Sequence, residues 1–247
     1  MPEPLPKIRL DQLIIQKGLA KSREKAKALV MAGLVQVDGK RFDKPGQAVS
    51  VSASVSLKKT PPPYVSRGGL KLESSLKHFS LDVRGKVLLD VGASTGGFTD
   101  CLLAHGARRV IAIDVGYGQL DWRLRNDPRV DVLEKTNIRH LKPQDIKGPV
   151  HGAVIDVSFI SLRRVVPPVG QLLSEHAFIM ALIKPQFEVG KGQVGKGGVV
   201  RDPRQHGEVI EKLIGFFQDL SWAVEGHIPS PLLGPKGNRE FLMYLTR

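Results

Sequence analysis

The sequence predicts an α/β protein whose larger part is a mostly parallel sheet with helices on both faces, preceded by a small α+β module. Three observations lead there. From Val87 onward, short apolar runs alternate with helical patterns, the signature of strand–helix–strand units. At Lys59-Thr60-Pro61-Pro62-Pro63 the chain changes character, because consecutive prolines continue neither a helix nor an inner strand and favour stiff polyproline II. Basic residues crowd ahead of that point: positions 1–60 hold twelve Lys/Arg against five Asp/Glu, a net +7 of the chain's +13. The 247 residues thus divide into a module over 1–59, a linker over 60–65 and a domain over 66–247.

Composition narrows the function classes. Apolar residues at 41% and charged residues at 25% suffice for a globular core and argue against wholesale disorder. Aromatics at 6% speak against an aromatic-lined carbohydrate binder. Cys101 is the sole cysteine, which excludes an internal disulfide framework or a cysteine-rich zinc site and suits a reducing cytoplasm. The first residues, MPEPLPKIRL, hold no apolar signal core, and no apolar run reaches the about 18–20 residues of a membrane span. We therefore expect a cytoplasmic protein with no metal and no membrane partner. Thirty-seven Lys/Arg against 24 Asp/Glu, with a pI near 10.0, predict a polyanionic partner, nucleic acid first. Oligomeric state leaves no mark in the sequence.

The module reads as two short helices followed by a hairpin. Leu10, Leu13 and Ile14, then Ala26, Leu29 and Val30, fall at helical spacing, with Ser22 as N-cap and Gly33 as stop. Leu34-Val35-Gln36-Val37 and Asp38-Gly39 follow as a strand and a tight turn. Lys21, Arg23, Lys25 and Lys27 lie off the apolar stripe of the second helix. Such a run is either a solvated helix face or a set of phosphate contacts. The segment RLDQLIIQKGLAKSREKAKALVMAGLVQVDGK resembles the small RNA-binding module shared by a small-subunit ribosomal protein, pseudouridine synthases and tyrosyl-tRNA synthetases. That resemblance, over about residues 7–56, implies RNA contacts, for which we nominate Arg9 and the four cations above.

In the larger part, Lys86–Val91, Val110–Asp114, Ala153–Asp156 and Ala177–Ile183 are strand candidates. Phe98–Ala104 is a helix, and Asp202-Pro203 opens another that runs to about Leu220, with Asp as cap and Pro in the first turn.

Asp90-Val-Gly92-Ala-Ser94-Thr-Gly96-Gly97-Phe98 turns from a strand ending on a carboxylate into a helix. Glycines let backbone approach a ligand, and the helix start offers free N–H donors. Asp114 ends the next strand at about the ~20-residue spacing of an acid that holds ribose hydroxyls. No Lys-Ser/Thr follows the glycines, so a triphosphate loop is excluded; a dinucleotide and S-adenosylmethionine remain. An esterase elbow shares the G-x-S-x-G spacing, but no Asp-to-His completion of a triad is evident.

Four charged residues stand where half-buried elements should hold apolar ones: Lys71 in SRGGLKL, Asp156 in VIDVSF, Lys184 in ALIKP and Glu240 in REFLMY. Each alone could be an ordinary solvated charge. Together they suggest a site, since ligands in open α/β sheets gather at the carboxyl ends of strands.

The segments SRGGLKL, DVGASTGGFTDCLL, DVSFISL, LIKPQFE, VGKGGVVRDP and GNREFLMYL, with the N-terminal module, resemble the TlyA family (also called hemolysin A-like) of ribosomal-RNA 2′-O-methyltransferases, related to the FtsJ methyltransferases. The resemblance spans essentially the whole chain. It implies a class I, Rossmann-like methyltransferase domain, S-adenosylmethionine as cofactor, and ribosomal RNA or a ribosomal subunit as partner, with cytidine as target. It also implies a catalytic tetrad of Lys71, Asp156, Lys184 and Glu240, with Lys184 at the 2′-oxygen. Expected cofactor contacts are Asp90, Gly92, Ser94, Gly96 and Phe98 in the loop, Asp114 at ribose, and Asn137-Ile138 at adenine. Arg67, Lys191 and Lys196 are expected to join the RNA contacts, with Arg201 flanking the same glycine-rich loop. Two competing readings are a non-catalytic RNA-binding or assembly factor and a membrane-active lytic protein.

Overall fold

The computed structural model describes residues 6–57, 63–190, 192, 194, 195 and 197–247. These fall into two compact units, residues 1–66 and 67–247. Most of the proline-rich segment lies outside the described residues.

In the first unit, β1 (Lys7–Arg9) leads directly into α1 (Leu10–Gln16), and α2 (Arg23–Met31) follows. Ser22 caps α2, its hydroxyl accepting the Lys25 N–H at 3.2 Å, so Lys21 precedes the helix rather than lying on it. Strands β2 (Val35–Val37) and β3 (Lys40–Arg41) form the hairpin across Asp38 and Gly39, both left-handed at φ 48° and 75°, as a tight primed turn requires. Two further short strands, β4 (Ala48–Ser50) and β5 (Val55–Leu57), pair antiparallel with β1 and β2 respectively. Leu10, Leu13, Ile14, Ala26, Val30, Val35 and Val37 close the small core.

The second unit starts with α3 (Gly68–His78), then β6 (Val87–Val91), α4 (Gly97–Ala104), β7 (Arg109–Ile113), α5 (Trp122–Arg125) and β8 (Val130–Leu133). Next come β9 (Gly152–Ile155), α6 (Val166–Leu172), β10 (Phe178–Ile183), α7 (Pro185–Glu188), α8 (Pro203–Asp219), β11 (Ala223–Pro229) and β12 (Phe241–Thr246). Seven strands make one sheet in the order β11-β12-β10-β9-β6-β7-β8. The run from β10 to β8 is parallel, and β12 and β11 add antiparallel. Every residue of β6, β9 and β10 is buried, as expected of parallel strands covered on both faces. Val209, Ile210, Leu213 and Phe217 of α8 add one stripe to that core, and the helix opens as its sequence dictates: Asp202 accepts the Arg204 N–H at 2.9 Å with Pro203 in the first turn.

Two features of this topology position the site. The chain runs outward from β6 through β7 and β8, then returns to lay β9 on the other side of β6. The carboxyl ends of β6 and β9 therefore diverge into a crevice, the ligand position of open α/β sheets. The antiparallel β12 brings its amino end to the same edge, because Phe241 pairs with Ile183, the last residue of β10.

Candidate active site

The residues along that edge follow the strand order. Lys184 and Asp156 come directly after β10 and β9, Gly92 after β6, and Asp114 after β7. Continued by one step, the β10–β12 register sets Glu240 opposite Lys184, and the β6–β9 register sets Gly92 opposite Asp156. A Cβ on Gly92 would lie 2.4 Å from the Asp156 carbonyl oxygen, so only glycine, here at φ +85°, lets the two loops come this close.

The four charges form two ion pairs. Lys184 Nζ lies 2.5 Å from Asp156 Oδ1 and donates to the Ser158 hydroxyl at 2.9 Å. Lys71 Nζ donates to Glu240 Oε2 at 2.6 Å. Lys71 reaches the edge from the first turn of α3, not from a strand end. Glu240 is buried, and its second oxygen makes no hydrogen bond among the described residues. A buried ion pair recovers its desolvation cost only with good geometry and further hydrogen bonds, so these pairs are weak evidence of a gain in stability.

In the glycine-rich turn, Asp90 is wholly buried; its Oδ2 accepts the Thr99 hydroxyl at 2.6 Å and its Oδ1 makes no hydrogen bond among the described residues. Burial pushes its carboxyl up to about 7, the Thr99 hydroxyl opposes this, and the neighbouring Asp156 and Asp114 charges add to it. Asp114 accepts the N–H groups of Ser94 and Gly116 at 2.8 and 2.7 Å, one on each oxygen, which fixes the loop while leaving lone pairs on both. Ser94 takes φ 49°, bringing its Oγ to 3.3 Å from Gln119 Oε1. The orphaned Asp90 oxygen, the glycine at Gly92 and the carboxylate at Asp114 fit a ligand carrying an ammonium group and ribose hydroxyls.

Other nominated residues have different work. Gly96 donates its N–H to the Ala93 carbonyl, and a Cβ there would strike Leu124 and Leu120, so its glycine serves packing and a φ of +93° rather than an open ligand face. Phe98 is only 3% exposed and presents no appreciable ligand surface. Asn137 caps a short 3-10 helix at Ile138–His140 through the Arg139 N–H, and the Ile138 side chain belongs to the core. In the first unit, Arg9 and Arg23 are not free cations: both engage Asp11, whose side chain is fully buried and whose carboxyl is held down at about 2, chiefly by Arg9. Lys21, Lys25 and Lys27 are exposed, as is Arg67, which reaches toward the Leu233 carbonyl at 3.5 Å. Lys191 and Lys196 lie outside the described residues.

Sequence patterning passed over Phe159. It is 90% exposed, holds a left-handed φ of 63° and packs against Phe187 at 5.0 Å between ring centroids. It stands three residues past Asp156, in the loop that follows β9. A bulky residue at positive φ costs of order 1–3 kcal/mol and persists only where the surrounding structure over-determines it.

Among the described residues no helix is long and apolar enough to cross a membrane, and no group of three or more His, Cys, Asp or Glu could hold a metal ion.

A seven-stranded sheet of this order, with a glycine turn and an acid-ended second strand at its switch point, defines a class I methyltransferase fold. The profile of the FtsJ-like methyltransferases matches residues 64–247, and that of the S4 domain matches residues 8–55. The chain belongs to the FtsJ-like methyltransferase family. The Mycobacterium tuberculosis 16S/23S rRNA (cytidine-2′-O)-methyltransferase TlyA is 48% identical over 238 residues, 96% of this chain and 89% of that protein. YqxC of Bacillus subtilis, named as an rRNA methyltransferase, is 49% identical over 97% of this chain and 85% of its own length. A solved Streptococcus thermophilus structure described as a hemolysin superposes with a TM-score of 0.77 at 45% identity, covering 99% of this chain and 90% of that one.

Proposed function

We infer that this chain is an S-adenosylmethionine-dependent methyltransferase acting on a ribose 2′-hydroxyl of ribosomal RNA, at a cytidine. The observation that carries the reading is the pair of ion pairs, Lys184–Asp156 and Lys71–Glu240, set on adjacent elements at the carboxyl edge next to the Gly92 turn. A ribose hydroxyl is a poor nucleophile until its oxygen gains alkoxide character, and a positioned lysine amine lowers the cost of that change. Asp156 and Ser158 fix the direction of Lys184; Glu240 fixes Lys71 beside it and balances charge in the buried site. The cofactor, when bound, supplies a methyl on a sulfonium that is already its own leaving group. Asp90, Gly92, Ser94 and Asp114 would hold it, and the remaining work of the chain is alignment, which in favourable cases is worth about 7–11 kcal/mol.

Substrate recognition divides between the units. The S4-type module offers Lys21, Lys25 and Lys27, all exposed, for phosphate contacts, which set affinity and register but not sequence. Phe159 offers an aromatic face for a nucleotide drawn out of its stack, the usual way a protein reaches atoms of structured RNA.

The test is methyl transfer from labelled S-adenosylmethionine to ribosomal subunits, with mass mapping of rRNA fragments, comparing the natural chain with Lys184→Ala. The variant is expected to bind cofactor and RNA normally and to transfer no methyl. Turnover equal to that of the natural chain would remove Lys184 from the mechanism, and absence of any modified ribose with the natural chain would overturn the reading.

A further inference from the structure

Two of the sequence segments quoted above, VGKGGVVRDP and GNREFLMYL, are joined by one side chain. Asn238 is 3% exposed and uses three of its four hydrogen-bonding positions. Its Oδ1 accepts the Val200 N–H at 3.1 Å, while its Nδ2 donates to the Gly198 carbonyl at 3.0 Å and the Pro235 carbonyl at 3.1 Å. One N–H partner and two carbonyl partners admit only this orientation of the amide. Its own carbonyl accepts the Gly234 N–H at 2.8 Å, closing the turn 234–238. From the far side His206 contacts the Val200 carbonyl at 2.9 Å; a carbonyl only accepts, so Nε2 carries the proton.

The turn so closed lies directly on Glu240. A Cβ on Gly234 would fall 2.0 Å from Glu240 Oε1, so the turn backbone and the carboxylate are in close approach. One residue, Arg239, separates Asn238 from Glu240, and one, Arg201, separates Val200, its other anchor, from Asp202, which caps α8.

We propose that Asn238 is a positioning residue: its buried amide latches the glycine-rich segment at 198–200 to the turn 234–238, and so sets Glu240 against Lys71 and fixes the segment that leads into Arg201. It touches no reacting atom. It acts through Glu240 on the transfer step and through the 198–201 backbone on RNA. The proposal rests on the functional reading above.

The experiment compares the full natural chain with Asn238→Ala in three measurements: steady-state methylation of ribosomal subunits, S-adenosylmethionine binding by calorimetry, and amide hydrogen exchange. We expect kcat to fall by on the order of 10²-fold, the loss that a misplacement of about 1 Å can cause, and KM for the RNA substrate to rise. Cofactor affinity should stay within about twofold, since the Gly92 turn is untouched. Exchange should accelerate at the 197–201 amides while β6, β9 and β10 remain protected. A variant that merely loses folded protein would lower kcat with KM and local exchange unchanged, and that result overturns the latch. Exchange at 197–201 equal to that of the natural chain overturns it as well, whether or not methyl transfer is observed. Failure of the natural chain itself to methylate would instead count against the functional reading.

Discussion

Glu188 accepts the Ser161 hydroxyl at 2.6 Å and the Leu162 N–H at 2.8 Å, and so binds α7, which follows Lys184, to the loop that follows Asp156. The Lys184–Asp156 pair is thus braced from behind: the two strand ends meet in front through an ion pair and again behind through this carboxylate. Burial pushes the Glu188 carboxyl up, and the Ser161 and Leu162 donors oppose it. Glu188→Ala leaves that hydroxyl and N–H without their acceptor, which costs about 1–3 kcal/mol where such groups stay buried. The expected outcome is a lower denaturation midpoint together with a reduced kcat at unchanged cofactor affinity. A variant matching the natural chain in midpoint and kcat would show that the brace does nothing for the pair.

Asp90 predicts a pH signature in stability. Its carboxyl ionises near 3.8 in an unfolded chain and is raised to about 7 in the fold. Between those values the native state holds the extra proton. This contribution is therefore fully present at low pH and fades as pH climbs toward 7. Asp90→Asn keeps an acceptor for Thr99 and removes the titration. Its melting temperature relative to the natural chain should rise from pH 5 to about pH 7 and level off above it, as read by thermal or chemical denaturation. A difference independent of pH would mean that Asp90 is ionised in the fold throughout.

The module's cations separate by what holds them. Lys21, Lys25 and Lys27 face solvent, whereas Arg9 and Arg23 are tied to Asp11. Replacing the three lysines by alanine should weaken binding to an rRNA fragment and flatten the dependence of log K on log salt by about 0.7–0.9 for each phosphate the module no longer engages. The melting temperature should stay unchanged. Arg23→Ala should do the reverse, costing stability first, because it strips one partner from a buried carboxylate. Titrations at several salt concentrations decide the matter; an unchanged slope for the triple variant would move the RNA contact elsewhere.

What could be read from residues alone was local. Ser22 before a helical stripe, Asp38-Gly39 between apolar runs and Asp202-Pro203 ahead of α8 each carry their geometry in a few adjacent side chains, and each forms as expected. The alternation that announced a parallel sheet is likewise a short-range pattern. The arrangements that escaped are long-range. Strand β11 shows no buried run because it is the edge of the sheet, and β1, β4 and β5 are three-residue strands too short to declare a period. Nothing near Arg9 or Arg23 signals that both serve one aspartate. Nor does the sequence around Asn238 show that its amide spans 38–40 residues to Val200 and Gly198. The four charges stood out because charges in apolar runs are costly, their grouping as a catalytic tetrad came from the family resemblance, and the apolar Phe159 gave no such signal.

Phe159 supplies the sharpest division between stability and function. Its ring is almost fully exposed and its backbone sits at φ 63°, so removing the side chain takes away little packing. Phe159→Gly should leave the melting temperature unchanged or raise it, since glycine adopts this conformation without strain. Phe159→Ala isolates the ring: if it stacks on the target base, its loss should cost on the order of 1–3 kcal/mol in kcat/KM for RNA, the scale of one base–aromatic contact. Cofactor affinity should not move. The informative comparison is between ribosomal subunits and a short single-stranded substrate, since stacking should matter most where a nucleotide must be pulled out of a folded helix. Equal and unchanged kcat/KM on both substrates would leave the strained ring without a role in the reaction.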